Sequence, residues 1–337
     1  MSIGITALGA YLPARALHNT ELEQHLDTNH DWIVQRTGIH QRHLAAEGQS
    51  SSALAIQAVA DLLRRCGERT LEGVGMVIVA TGTPDEQGGG TALAVSRHFG
   101  LSAGAFDLSA ACSGWVYGLS VAQGYIRAGI CQKVLVIGAE VFSRIVDWQD
   151  RTSAILFGDG ASAAVVERVG EGFGFLASTR GTDGLGGKFL HASALASCLP
   201  DGTLMRDKIT MDGKEVYKFA VRTIVASARE TVRQAGVSWD DIALLVPHQA
   251  NARIIEAARE QLGLAREKVV VTVDQHANTS AASVGLALTN ALDAGRLHRG
   301  DHVLLVSFGA GLNWAATLLR WSGVLESSGT PRTLQAI

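Results

Sequence analysis

The stretch Ala105-Phe-Asp-Leu-Ser-Ala-Ala-Cys112-Ser-Gly-Trp115 leaves an apolar strand, crosses a run of small residues and enters a helix. That helix is predicted from Gly114 to Ala128, with Gly129 as its C-terminal stop. Outward from it, Met76–Ala80 and Val134–Ile137 read as strands. The second half repeats the pattern. Ala243–Val246, Val269–Val273 and Val303–Val306 read as strands, and Ser283–Ala294 as an apolar helix followed by Gly295. Strands this continuously apolar are covered on both faces, so the chain is predicted to be a layered α/β protein.

The halves superpose in sequence. Met76 and Ala243, Asp107 and Asp274, and Gly118 and Gly285 are each 167 residues apart, and His98–Leu101 echoes Gln261–Leu264. A period this long implies a duplicated unit rather than a solenoid. At that offset Cys112 falls opposite Thr279, and two related turns would meet in a crevice between the halves. The segment from Gly181 to Gly213 is Gly/Ser-rich and reads as an insertion or lid, and the tail from Ser322 as a fraying end.

The 337 residues are 47% hydrophobic and 18% charged, which suits a large packed core and excludes a disordered chain. With 29 Lys and Arg against 32 Asp and Glu, the net charge of −3 argues against a general nucleic-acid binder. No apolar run reaches the roughly 18 residues of a membrane span, and the N-terminus lacks a secretory pattern, so a cytoplasmic location is expected. The four cysteines, at 66, 112, 131 and 198, make no CxxC pair, so neither a zinc site nor a disulfide framework is expected.

Cys112 is the cysteine placed for chemistry. At a strand-to-helix turn it would feel the helix dipole and free N–H groups, which favour thiolate; the same features fit a small buried thiol. His248, in Val246-Pro-His248-Gln-Ala-Asn251, follows a strand directly and would point into the crevice, or sit as a satisfied surface histidine. Asn278 lies in the second repeat's turn. Its amide could donate to an oxygen gaining charge, or close an Asx-turn. His276 competes with His248 on residue type alone. The run Ser307-Phe-Gly309-Ala310-Gly311 brings backbone close to a ligand, and an N–H there could join that of Cys112 in an oxyanion hole.

Together these segments resemble the β-ketoacyl-acyl carrier protein synthase III family, of thiolase fold, over Ile3 to Trp321. Asp31-Trp32-Ile-Val-Gln-Arg36-Thr-Gly38 is similar to its N-terminal signature, and the Cys112 turn, Phe157–Ala161, Pro247–Asn251 and Asn278–Ser283 to further blocks. The resemblance implies a five-layered αβαβα core of two halves, 1–173 with the nucleophile and 174–337 with the histidine and asparagine. It implies acyl transfer from acyl-CoA to Cys112, then decarboxylative condensation with malonyl-acyl carrier protein to a 3-ketoacyl product in fatty-acid biosynthesis. No permanently bound cofactor or metal is implied. His248 and Asn278 would stabilise the enolate, and the N–H groups of Cys112 and Ala310 the oxyanion. Trp32 and Arg151 would sandwich the CoA adenine with Thr28 and Arg36 nearby, and Asn251 would line the pantetheine tunnel. Lys218 and Arg253 would form a basic rim for the acyl carrier protein, in a homodimer.

Three departures from the family bear on specificity. An aromatic-Pro-Ser segment is replaced around Gln87 by Asp85-Glu-Gln87-Gly-Gly-Gly-Thr91, in a loop that closes the partner's acyl pocket in the family. Ala277 and Ala310 stand where glycines are usual. These imply an altered primer pocket, so a condensing enzyme of secondary metabolism with a different primer or acceptor is the alternative, and an inactive pocket-shaping subunit a weaker one. A thiolase would need a second cysteine in the Gly309 loop, and there is none.

Overall fold

The computed structural model describes residues 1–88, 90–192, 198, 202, 204 and 208–324. The middle of the expected lid and most of the expected fraying tail lie outside these residues.

Two sheets organise the chain. The first has the strand order Ile3–Tyr11, Gly160–Arg168, Lys133–Glu140, Val74–Ala80, Gly104–Leu108, and the last three run parallel. The second has the order Ile242–Pro247, His302–Gly309, Asn313–Arg320, Gly174–Thr182, with its first two strands parallel. The apolar runs read from the sequence are the buried centres of these strands.

Helices Gly114–Arg127 and Ser283–Asp293 lie between the sheets and touch both. Trp115, Leu119, Val284 and Leu288 fill that middle core. Helix Ser51–Cys66, capped by Ser50, covers the outer face of the first sheet. Helix Gly213–Ala235, capped by Asp212, covers the second together with Ala252–Leu262. The resulting order, helix, sheet, helix, sheet, helix, is the five-layered thiolase-like architecture expected.

The duplication reaches fine detail, at a different offset. Parallel pairing slips between Val74 and Met76 in the first sheet and between Ile242 and Leu244 in the second, 168 residues on. The turns Ala111–Ser113 and Ser280–Ala282 precede their helices 169 residues apart, and each opens on a residue at positive φ, Ala111 at 45° and Ser280 at 48°. Cys112 therefore corresponds to Ala281, not Thr279. The offset of 167 comes from side-chain identity and is two residues out at the turn.

One expected strand is missing. Val269–Val273 makes a single bridge, Val269 with Leu245. The buried Gln249 amide takes the backbone groups a strand would use. Its Nδ-type donor, Nε2, gives hydrogen bonds to the carbonyls of Pro247 (2.7 Å) and Val270 (3.1 Å), and Oε1 accepts from the N–H groups of Thr272 (2.8 Å) and Val273 (3.1 Å). Those four bonds use the whole capacity of the side chain.

Ala277 sits at φ 56°, ψ −161°, fully buried, a conformation that favours glycine. Ala277→Gly should therefore stabilise the fold by about 1 kcal/mol, raising Tm by roughly 2 °C in thermal melts.

Candidate active site

Cys112, His248, Asn278, Asn251 and Ala310 line one cavity of about 300 Å³. Its apolar wall includes Phe142, Phe157, Ile209, Val216 and Phe308. Leu190, His191 and Met211, from the described flanks of the expected lid, complete it. The two related turns and the carboxyl ends of central strands from both sheets converge there, which is where an α/β crevice forms.

Cys112 lies in the short turn Ala111–Ser113, its carbonyl accepting from the Ser307 hydroxyl at 2.6 Å. The expectation of a ready thiolate is overturned. Burial pushes the thiol up to about 12, helped by the carboxyl of Glu140, against a weaker opposing effect from Ser280. The sequence showed the turn but not how completely the fold would enclose it.

Gly309 fixes the turn from the other side. A Cβ there would lie 2.8 Å from the Cys112 backbone nitrogen and 3.1 Å from the Ala111 Cβ. Glycine is needed at 309 for close approach rather than for its φ.

His248 is buried at the end of Ile242–Pro247, edge-on to Phe308. Its Nδ1 is 2.6 Å from the Ser283 hydroxyl, whose oxygen accepts from the Gln249 N–H at 3.4 Å. The hydroxyl hydrogen is then directed to Nδ1, and Nε2–H is the donor left for the cavity. Burial lowers His248 to about 3, so the imidazole is neutral. Below about pH 6.5 the unfolded chain takes a proton that folded His248 refuses, so stability is lost as pH falls from there towards 3. His248→Asn should remove about 2 to 3 kcal/mol of that loss at pH 4.5, read from melts at pH 7 and 4.5.

Asn278 accepts from the Ser280 N–H at 2.9 Å through Oδ1, which fixes the amide orientation and leaves Nδ2 as the donor at the cavity. His276, the competing histidine, does not line the cavity, and burial lowers it to about 4. Of the two added methyls, that of Ala310 belongs to the cavity wall and that of Ala277 does not.

Sequence reasoning missed Glu140. It closes the apolar strand Lys133–Glu140 and is fully buried. Its carboxyl accepts from Gly82 N–H (3.0 Å), Thr83 Oγ1 (2.9 Å) and Thr81 Oγ1 (3.3 Å) in the first half, and from Ala281 N–H (3.3 Å) in the second. The signal was there to read: one carboxylate ending an otherwise apolar central strand. Ser283, the partner of His248, was also missed as an individual residue.

The outer residues are more dispersed. The Arg151 guanidinium stands 5.2 Å from the Trp32 ring centre and that of Arg36 5.6 Å. A base between two planes needs roughly 7 Å, so Arg151, which also donates to the Asp27 carbonyl at 2.7 Å, must swing away before a base can stack on Trp32. Thr28 lies nearby in the chain with its hydroxyl buried and unpaired. Asn251 lines the cavity, but it also caps helix Ala252–Leu262 through Arg253 N–H and donates to the Arg36 carbonyl at 3.1 Å. Lys218 is exposed and paired with Glu215, and Arg253 lies over Tyr217, a cavity residue. Gln87 is exposed and is not part of this chain's cavity wall.

A five-layered thiolase-like core with a cysteine, a histidine and an asparagine facing one apolar cavity defines the condensing acyltransferases as a class. The comparisons narrow it. Residues 106–184 match the family model 3-oxoacyl-[acyl-carrier-protein] synthase III, and residues 232–321 match its C-terminal model. A β-ketoacyl-[acyl-carrier-protein] synthase III of Deinococcus deserti is 48% identical over 96% of this chain and 92% of its own length. One from Deinococcus radiodurans is 49% identical over 95% of each. The solved β-ketoacyl-[acyl carrier protein] synthase III of Thermus thermophilus superposes with a TM-score of 0.94 at 55% identity, covering 95% of this chain and all of that one. The chain belongs to the 3-oxoacyl-[acyl-carrier-protein] synthase III family of condensing acyltransferases.

Proposed function

We propose that the chain takes an acyl group from acyl-CoA onto Cys112 and condenses it with malonyl-acyl carrier protein. The observation that carries this reading is the convergence on one apolar cavity of a thiol, two neutral side-chain donors and a tightly packed backbone loop. Cys112 Sγ attacks the acyl-CoA carbonyl, and the N–H groups of Cys112 and Ala310 hold the oxyanion. Collapse of the tetrahedral intermediate releases CoA.

Malonyl thioester then occupies the same cavity and loses carbon dioxide. Negative charge develops on its thioester oxygen, where His248 Nε2–H and Asn278 Nδ2–H donate. The enolate carbon attacks the acyl–Cys112 carbonyl, and the returning thiolate leaves a 3-ketoacyl product. Two neutral donors suit this step: they stabilise the charge without protonating the enolate.

Around this centre, Trp32, Arg36, Arg151 and Thr28 are assigned to the nucleotide end of CoA, and Asn251 to the pantetheine arm. Lys218 and Arg253 are assigned to an acidic carrier protein, since both present positive charge beside the cavity residue Tyr217. The division at 173/174 is supported by the sheets, whose strands all fall on one side of it or the other. A homodimer, with Gln87 reaching a partner's pocket, and a cytoplasmic setting complete the reading.

The test is the mass of the intact protein after exposure to acyl-CoAs from acetyl to dodecanoyl. One acyl increment on the wild type is expected. A strongest adduct with acetyl would assign chain initiation, and one with a longer or branched group would assign a specialised primer to the reshaped pocket. No increment with any donor would overturn the reading.

A further inference from the structure

The mechanism above leaves the thiol proton without a destination. His248 presents Nε2–H to the cavity, so it has no lone pair there to receive a proton. Two buried groups beneath Cys112 are so far unused. Ser280 is fully buried, and its hydroxyl has no aligned hydrogen-bond partner. It lies in reach of both the Cys112 thiol and the Glu140 carboxyl. Its backbone is held at φ 48° in the turn equivalent to that of Cys112, and its N–H is tied to Asn278. Glu140 is anchored by donors from both halves, which fixes its carboxyl under the turn.

We propose that Ser280 and Glu140 relay the Cys112 proton during acylation. This rests on the acyl-enzyme reading given above. As Sγ bonds to the acyl carbon, its proton passes to Ser280 Oγ, and the Ser280 proton passes to a Glu140 oxygen. As the tetrahedral intermediate collapses and the carbon–sulfur bond to CoA breaks, the proton returns through Ser280 to the departing sulfur. The relay gains and loses no proton overall. Ser280 touches the reacting sulfur; Glu140 acts through it, as a positioning residue.

The electrostatics agree. Around Glu140 stand Thr81, Gly82, Thr83, Ser280, Ala281 and Cys112, and Cys112 is the one titratable group among them. Burial, opposed by these hydrogen bonds, raises Glu140 to about 7, so it exchanges a proton near neutrality where Cys112 and His248 do not.

The experiment separates the half-reactions in Glu140→Gln, Ser280→Ala and the double variant. CoA release is followed from pH 5.5 to 9, and malonyl-CoA decarboxylation is measured alongside. In the wild type, acylation should rise with pH through about 7. Glu140→Gln should flatten that limb and slow acylation about 100-fold at pH 7.5, with decarboxylation within a few-fold of wild type. Ser280→Ala should do the same, and the double variant should be no slower than either single one. An unchanged pH profile in both single variants, or equal losses in both half-reactions, would overturn the relay while leaving the acyl-enzyme reading intact. A wild type that takes no acyl group would overturn both. If Glu140→Gln fails to fold, Ser280→Ala gives the same decision.

Discussion

Cys112→Ala should take no acyl increment from any acyl-CoA and should lose condensation by about 10⁴-fold or more, because no other group can carry the acyl chain. The fold should survive. The change removes one sulfur from a site the Ser307 hydroxyl holds through the backbone, not the side chain, and should cost about 1 to 2 kcal/mol. Melting temperature and intact mass on one preparation separate the two effects. Decarboxylation of malonyl thioester, which needs the donors and not the sulfur, should persist in this variant. His248→Ala should give the converse, an acylated protein that does not condense. CoA release by Cys112→Ala at the wild-type rate, or a His248→Ala protein that cannot be acylated yet condenses, would contradict the assigned roles.

Gly309→Ala should be the most damaging single-methyl change at the site. The new Cβ would meet the Cys112 nitrogen at 2.8 Å, the Ala111 Cβ at 3.1 Å and the Ser113 nitrogen at 3.3 Å, and all three belong to a turn with little freedom to yield. The strain should cost roughly 2 to 4 kcal/mol. The turn can relieve it only by moving the nucleophile and its N–H together. Displacement approaching 1 Å costs about 100-fold in rate, so kcat/KM for acylation should fall by that order even in the folded fraction. The neighbouring Ala310 already carries a methyl in the cavity wall, so Ala310→Gly should be mild by comparison. A Gly309→Ala protein with wild-type stability and acylation would show that the turn is not held from this side.

The principal side chains were legible because each ends a predicted strand or opens a predicted helix. Cys112, His248 and Asn278 could be placed on a crevice from periodicity and duplication alone. What the sequence hid was set by tertiary enclosure. The thiol's resistance to ionisation comes from burial by both halves, which no local pattern around Cys112 reveals. Glu140 reaches its partners from loops about 60 and 140 residues away in the chain. The false strand at Val269–Val273 has good strand composition and was defeated by one buried amide, Gln249, twenty residues earlier. At the outer end, Trp32 and Arg151 are 119 positions apart, and their stacking is a property of the folded surface.

That amide also bears on assembly. The Ile3–Tyr11 and Gly174–Thr182 edges of the two sheets abut each other inside the molecule. Gln249 and the 269–273 segment cover the outer edge at Ile242–Pro247. Of the two main sheets' edges among the described residues, this leaves Gly104–Leu108 unpaired, with Phe106 and Leu108 only partly buried. A chain with two free edges could add copies at both ends and grow into a fibre. A chain with one can pair that edge with its own counterpart through a twofold axis and then has nothing left to extend, so the geometry that removes a strand also terminates the assembly at two.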